Sequence, residues 1–411
     1  MLSEKQKLTK IINLGIEITQ VKDIDVLLEK ILKEARKLVN ADAGSIYIKE
    51  GDTLKFSYTQ NDTMQKRLPV GKKLIYSTFS IPINNQSISG YVANTGEMLN
   101  IPDVYKLSGG LPYLFNKRYD DLSGYRTQSV LTFPLKTNHG DIIGVLQLIN
   151  GQNETGKVIP FRKKDEPLIM NFASTAAVAI ERAQMTRAMI LRMIKMAELR
   201  DPKETGAHVN RVASYAVVIY EQWAAKRGVP QPEIDKNRDV LRMAAMLHDV
   251  GKVAISDTIL KKPARFTPEE YEVMKRHTIL GAQLFAELYS AFDETALLVA
   301  LNHHERWDGA GYPGYVNHCD GKALTGHANN DGSVQGKRAE EIPVFGRIVA
   351  IADVYDALSS RRVYKEAWDE TKVLEEIKVS SGTYFDPEMI EAFFACLDSL
   401  RSISERYPDN M

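Results

Sequence analysis

Cysteine is scarce in this chain: of 411 residues only Cys319 and Cys396 carry a thiol, and they form no CxxC pair. That excludes a disulfide framework and a cysteine zinc site, and it fits a reducing compartment. Long apolar runs are missing too. With no stretch of about 18 apolar residues to span a bilayer, and an amino-terminal MLSEKQKLTK too polar for a signal peptide, we expect a soluble, cytoplasmic protein with no membrane partner. Nor is there an excess of one charge. The 53 basic side chains face 53 acidic ones, which argues against a general electrostatic grip on a nucleic-acid polymer. Any nucleotide ligand should be small. Internal repeats and low-complexity tracts are absent, and 44% hydrophobic with 26% charged residues is a globular composition. At about 100–200 residues per domain, the length gives two domains as a starting count.

What is present is unevenly placed. Of eight histidines, only His139 precedes residue 200, and the other seven fall between residues 208 and 327. The chemistry therefore belongs to the second half. In the first half, GSIYIKE, TLKFSYTQ, SVLTFPLK and DIIGVLQLIN are short, rich in β-branched and aromatic residues, and separated by Gly, Asn or Asp turns, which predicts strands. Residues 4–39 and 164–200 show helical periodicity instead, so the first half reads as an α/β sandwich. His139, in TNHGD, reads as a solvated turn residue.

This half resembles the GAF family of small sensor domains over most of residues 20–185. The resemblance rests on NNQSISGYVANTGEMLNIPDVY, SVLTFPLKTNHGDIIGVLQLIN and FASTAAVAIERAQ, standing in that order. It implies an antiparallel sheet with helices and a pocket for an unidentified small ligand. Gly90, Thr95, Gly96 and Asp103 could line such a pocket, but plain turn chemistry accounts for them better.

From Phe172 onward, Phe172, Ala176, Ala179, Ala183, Ile190, Met193 and Ala197 recur at alternating spacings of four and three, with Thr186 in the gap. Such a seam either packs on its own domain or pairs two chains in parallel. We expect the second: a homodimer through the first domain and a linker helix. The expected division is 1–183 for the sensor domain, 184–200 for a linker continuous with its last helix, and 201–411 for the catalytic domain.

The second half gathers metal-ligand residue types. In RDPKETGAHVNRV, Glu204 and His208 are four apart and share a helical face if the segment is helical. LRMAAMLHDVGK places His248 beside Asp249 after an apolar helical run, with Lys252 four residues beyond His248 on the same face. His277 follows in KRHTILGAQL, His303 and His304 in LNHHERWDGAGYPG, and Asp353 ends an apolar stretch in RIVAIADVYDALSSRRVYK. Singly, each has a bland explanation as a core histidine, a cap or a salt-bridge partner. Together they put five imidazoles and three carboxylates on segments that read as buried helices, a costly arrangement unless a metal or phosphate satisfies it.

Residues 197–395 resemble the HD-GYP family of metal-dependent phosphodiesterases, on RDxxETGxH, HDVGK, His277, HHERWDGAGYP and IADVYDALSSRRVYK in order. The resemblance implies an all-helical fold and hydrolysis of cyclic di-GMP, a signalling second messenger, to pGpG or GMP. It implies metal-ligand roles for Glu204, His208, His248, Asp249, His277, His303, His304 and Asp353, with Asp249 bridging two or three divalent ions. Glu204 bears on the third. Imidazole and carboxylate ligands without thiolate suit Fe(II) or Mn(II), and ligand type leaves zinc or nickel open. A hydroxide bridging ions about 3.5–4 Å apart would be nucleophilic at neutral pH. Lys252, Tyr312, Arg362 and Lys365 would meet the substrate, and Asp308 and Asp356 would accept hydrogen bonds that orient ligand histidines. One departure stands out. The 316–340 stretch, VNHCDGKALTGHANNDGSVQGKRAE, is longer than the family's short link and reads as a long structureless loop in which His318, Cys319, Asp320 and His327 are surface residues. It leaves a related hybrid, such as cyclic GMP-AMP, open as substrate. A sensor that binds the dinucleotide with little turnover is the alternative class.

Overall fold

The structure, a computed structural model, describes residues 4–68, 79–198, 206–360 and 368–408. It divides into two compact units, Met1–Thr186 and Arg187–Met411. No helix among the described residues is long and apolar enough to cross a membrane.

The first unit is built on a six-stranded antiparallel sheet in the order β3-β2-β1-β6-β5-β4. The strands are β1 (Ala41–Glu50), β2 (Thr53–Asn61), β3 (Ser80–Pro82), β4 (Leu99–Ile101), β5 (Val130–Lys136) and β6 (Ile142–Gly151). The four predicted strands are β1, β2, β5 and β6, as their β-branched content and turn residues require. The helices are α1 (Glu4–Gln20), α2 (Ile24–Val39), α3 (Asp62–Gln65), α4 (Ile88–Thr95), α5 (Arg118–Ser123) and α6 (Glu166–Glu198). Asp23 starts α2 by accepting from the backbone of Asp25 and Val26, and Asn40 ends it at a φ of 54°. Between these caps, Leu27, Leu28, Ile31, Leu32 and Ala35 form the apolar stripe that packs on the sheet. Gly44 of β1 makes that approach possible, since a Cβ there would lie 2.9 Å from both Leu32 Cδ1 and the Gln147 carbonyl.

The first part of the α6 seam packs within its own unit. Phe172, Ala176, Ala179 and Ala183 are buried in the first unit's own core, whereas Ile190 is buried in the second unit's core and Met193 is exposed. Small residues at four-three spacing fit a sheet face as well as a partner helix, and here they face the sheet.

On the other side of the sheet a cavity of about 780 Å³ opens, bounded by Ser45, Thr59 and Gln147 and by the rings of Phe56, Phe79 and Tyr119. Gly90, Thr95, Gly96 and Asp103 are not part of its wall among the described residues. Gly96 ends α4 at a φ of 72°, Thr95 donates to the Tyr91 carbonyl, and Asp103 accepts from the Tyr105 backbone, which is the turn chemistry expected of them. His139 is exposed in its turn.

Among the described residues the second unit is helical: α7 (Gly206–Lys226), α8 (Gln231–Ala245), α9 (Asp257–Leu260), α10 (Pro268–Lys275), α11 (His277–Gln283), α12 (Ala291–Asn302), α13 (Val344–Ser359), α14 (Glu370–Val379), α15 (Pro387–Ala395) and α16 (Leu397–Arg406). Its core draws Val212, Leu241, Val299 and Ile348 from α7, α8, α12 and α13, the helices that surround the histidines.

The 316–340 stretch is not structureless. Val316 bridges Ala323, Ala328 bridges Val334, and the Tyr315 and His327 rings stack at 3.8 Å. His327 also meets Gln335, while His318, Cys319 and Asp320 stay outside any metal-ligand cluster found among the described residues.

Candidate metal centre

The helical run of LRMAAMLHDVGK stops earlier than its apolar pattern predicts. After α8 ends at Ala245 the chain turns through His248 and Asp249 and tightens into a 3-10 turn, Val250–Ala254. Lys252 therefore does not share a helical face with His248; its Nζ lies 2.6 Å from Asp249 Oδ2. Gly251 lets this turn press on the start of α11, because a Cβ there would stand 2.0 Å from the His277 carbonyl and 2.3 Å from the Gly281 nitrogen. That contact brings Asp249 to His277.

Six predicted ligands, His248 among them, converge on Asp249. His208 enters from the first turn of α7, His277 opens α11, His303 and His304 follow the last residue of α12, and Asp353 projects from α13. They form two groups: Asp249 with His277, His303 and His304, and His208 with His248 and Asp353. Asp249 stands between the two. Its Oδ1 lies 3.1 Å from His277 Nε2 and 3.6 Å from His303 Nε2, and its Oδ2 lies 3.2 Å from His248 Nε2. Asp353 Oδ1 lies 3.7 Å from His208 Nε2 and 3.9 Å from His248 Nε2.

The other ring nitrogens decide what these atoms are. Nδ1 of His248 faces the Ala245 carbonyl at 2.8 Å, that of His277 the Met274 carbonyl at 2.7 Å, and that of His303 the Ala300 carbonyl at 3.0 Å. Carbonyls only accept, so each Nδ1 carries the hydrogen and Nε2 is the atom whose lone pair, in the neutral ring, is left to point inward. Asp356 does the same for His208, accepting from its Nδ1 at 2.8 Å. Burial raises the Asp356 carboxyl pKa, but the hydrogen bonds from His208 and Arg211 outweigh that and hold it below the usual aspartate value. Burial also lowers His303, and His304 far more, so both stay neutral near pH 7. For Asp249, burial acts upward, but the Lys252 ammonium beside it holds the carboxyl well below the usual range.

The result is a buried set of lone pairs and carboxylate oxygens, with His277 Nε2 and His303 Nε2 only 3.4 Å apart. Such a set repels itself unless a cation sits among its members, and imidazole with carboxylate is a donor set that divalent ions accept. These residues form a candidate metal centre.

The remaining expectations divide. Asp356 does accept from a ligand-type histidine, as described. Asp308 is corrected: its carboxylate is taken by Arg306, at 2.5 Å, and by the Ala310 backbone, so it meets no histidine. Tyr312 stacks on His304, ring centroids 4.8 Å apart, and so covers one of the ligand-type histidines. Glu204, Arg362 and Lys365 lie outside the described residues. Reading the sequence missed Gly251, Arg211 and Glu305. Arg211, one turn after His208, donates to both oxygens of Asp356 at 2.6 and 2.9 Å, and that three-residue spacing was the available signal.

Two family models match the chain, the GAF domain over residues 23–180 and the HD domain over residues 205–358. A cyclic di-GMP phosphodiesterase of Vibrio cholerae is 40% identical over 225 residues, covering 54% of this chain and 41% of that protein. A 3'3'-cGAMP-specific phosphodiesterase 2 of the same organism is 33% identical over 230 residues, 56% of this chain and 38% of that one. A cyclic di-GMP phosphodiesterase of Thermotoga maritima is 35% identical over 221 residues, 54% and 52% respectively. The chain thus spans about half the length of these curated relatives or less.

Proposed function

We propose, for a chain that carries a GAF domain followed by an HD domain, that the second unit is a metal-dependent phosphodiesterase hydrolysing cyclic di-GMP and that the first unit regulates it. The observation that carries this reading is the convergence of the Nε2 lone pairs of His208, His248, His277 and His303 around Asp249 and Asp353. The proposed division is 1–183 for the sensor, 184–200 for the linker and 201–411 for the phosphodiesterase.

Divalent ions held there, two or three and of Fe(II) or Mn(II) type, would neutralise charge at phosphorus and make water a nucleophile near pH 7. His277, His303 and His304 would hold one ion and His208, His248 and Asp353 another, with Asp249 as the residue that would bridge them. Glu204 is assigned to a third. Lys252 would bring a point charge to the scissile phosphate, and Tyr312 would wall the pocket beside His304. Arg362 and Lys365 are assigned to the substrate's other charges. Each cleavage consumes one water: oxygen bonds to phosphorus, the bond to the 3'-oxygen breaks, and that oxygen takes the proton. One cleavage yields pGpG and a second yields GMP. The 780 Å³ cavity of the first unit is where a regulatory small ligand would sit.

Product chromatography after anaerobic incubation of purified protein with cyclic di-GMP and Mn(II) or Fe(II), with His248→Ala as blank, tests the reading. Appearance of pGpG or GMP with the intact protein alone supports it. Absence of product with metal bound would sink it, in favour of the sensor. The similarity to the 3'3'-cGAMP-specific relative favours a second substrate, so cyclic GMP-AMP belongs in the same assay.

A further inference from the structure

The 316–340 stretch ends against the histidine pair. Its returning segment is pinned there by the Tyr315 nitrogen on the Gln335 carbonyl at 3.0 Å and by the Ala339 nitrogen on the Trp307 carbonyl at 3.0 Å. Gly336 allows this closeness, because a Cβ would lie 2.1 Å from the Gly309 carbonyl. Between those anchors Lys337 turns inward and its Nζ donates to Asn302 Oδ1 at 2.5 Å. Asn302 is buried, donates its own Nδ2 to the Leu298 carbonyl at 2.7 Å, and immediately precedes His303. On the far side of the pair, Glu305 is 2% exposed, and its Oε1 accepts from the Gly314 nitrogen at 2.6 Å. Lys337 makes no direct ion pair with it among the described residues, yet its ammonium is the charge that acts most on that carboxylate. Burial pushes the Glu305 carboxyl up and the Lys337 ammonium down, and each charge opposes the shift of the other.

We propose that Lys337 is a positioning residue for His303 and His304: one side chain fixes the residue before the pair and offsets the charge of the residue after it, so that both imidazoles stay aimed at Asp249. No ligand role is assigned to Lys337 itself. Groups that orient ligand histidines typically govern metal affinity by about 10–100-fold. A buried carboxylate deprived of its cation has reason to move, and Glu305 is joined directly to His304 in the chain.

The inference rests on the reading of this cluster as a metal centre, and its test does not use turnover. Mn(II) binding to the full chain would be measured by equilibrium dialysis, with circular dichroism and thermal melting on the same samples, for Lys337→Met, for Glu305→Gln and for the two combined. The expected result is a loss of about 10–100-fold in Mn(II) affinity for Lys337→Met at unchanged helical content. The combined variant should recover at least part of that loss, since it leaves no unpaired buried charge. If Lys337→Met fails to fold, the combined variant carries the test against His304→Ala, which removes a ligand outright: the combined variant should bind Mn(II) more tightly than His304→Ala does, and binding no tighter would overturn the proposal. Where Lys337→Met does fold, Mn(II) affinity within twofold of wild type would overturn it, as would a combined variant no better than Lys337→Met. Wild-type protein that binds Mn(II) but does not cleave cyclic di-GMP would count against the substrate alone and leave this inference standing.

Discussion

Replacing Gly251 by alanine tests how the site is assembled. The added Cβ would meet the His277 carbonyl at 2.0 Å and the Gly281 nitrogen at 2.3 Å, where real contacts stay above 3.0 Å. Both atoms are backbone, so no side chain can swing away, and the 3-10 turn and the start of α11 must separate by about 1 Å. Overpacking of this kind costs about 1–3 kcal/mol. At about 2–4 °C per kcal/mol for a unit of this size, the melting temperature should fall by several degrees. Separation also lengthens the 3.1 Å approach of Asp249 Oδ1 to His277 Nε2, and a misplacement of about 1 Å in a catalytic array can cost on the order of 100-fold in rate. Thermal melting, Mn(II) dialysis and cyclic di-GMP turnover on Gly251→Ala would read the three consequences. Unchanged melting together with Mn(II) affinity within twofold of wild type would refute the reasoning, because it would mean that the turn and α11 need not touch.

Asp356→Asn removes the charge that faces both His208 and Arg211, so Mn(II) affinity should drop about 10–100-fold and stability by about 3–5 kcal/mol, read by dialysis and urea unfolding. Asp308→Asn should leave turnover within twofold and cost no more than about 1 kcal/mol, because its partner is the partly exposed Arg306; a large loss of turnover would restore a role toward the histidines. The metal-free protein should lose stability as pH falls. His303 and His304 have depressed values in the folded state, so below about 6.5 the unfolded chain takes up protons first and is favoured. A urea midpoint that rose between about pH 7.5 and 5.5 would contradict this sign.

Much of the site was legible because metal chemistry restricts residue type. Imidazoles and carboxylates on apolar segments are conspicuous, and six of the predicted ligands do gather around Asp249. What reading the chain in order obscured was where helices stop and what touches across them. LRMAAMLHDVGK has an apolar pattern that runs on past Ala245, so Lys252 looked like a neighbour of His248 when it is a partner of Asp249. Asp308 looked like an acceptor for histidine until Arg306, two residues away, was seen to hold it. The polar 316–340 stretch looked structureless because its order comes from bridges between residues six or seven apart and from a ring stack, none of which has a periodic signature.

The sequence by itself determined the elements and their chemistry: strands where β-branched residues lie between turns, helices where apolar residues recur at three and four, and the residue types able to bind a metal. Those properties are local, and a residue carries them wherever it sits. Tertiary structure alone decided partnership. The small-residue seam of α6 turned to its own sheet because that face offered the apolar area, and the Nε2 lone pairs were aimed at one point because carbonyls three residues back, and Asp356 from a distant helix, took each Nδ1 hydrogen.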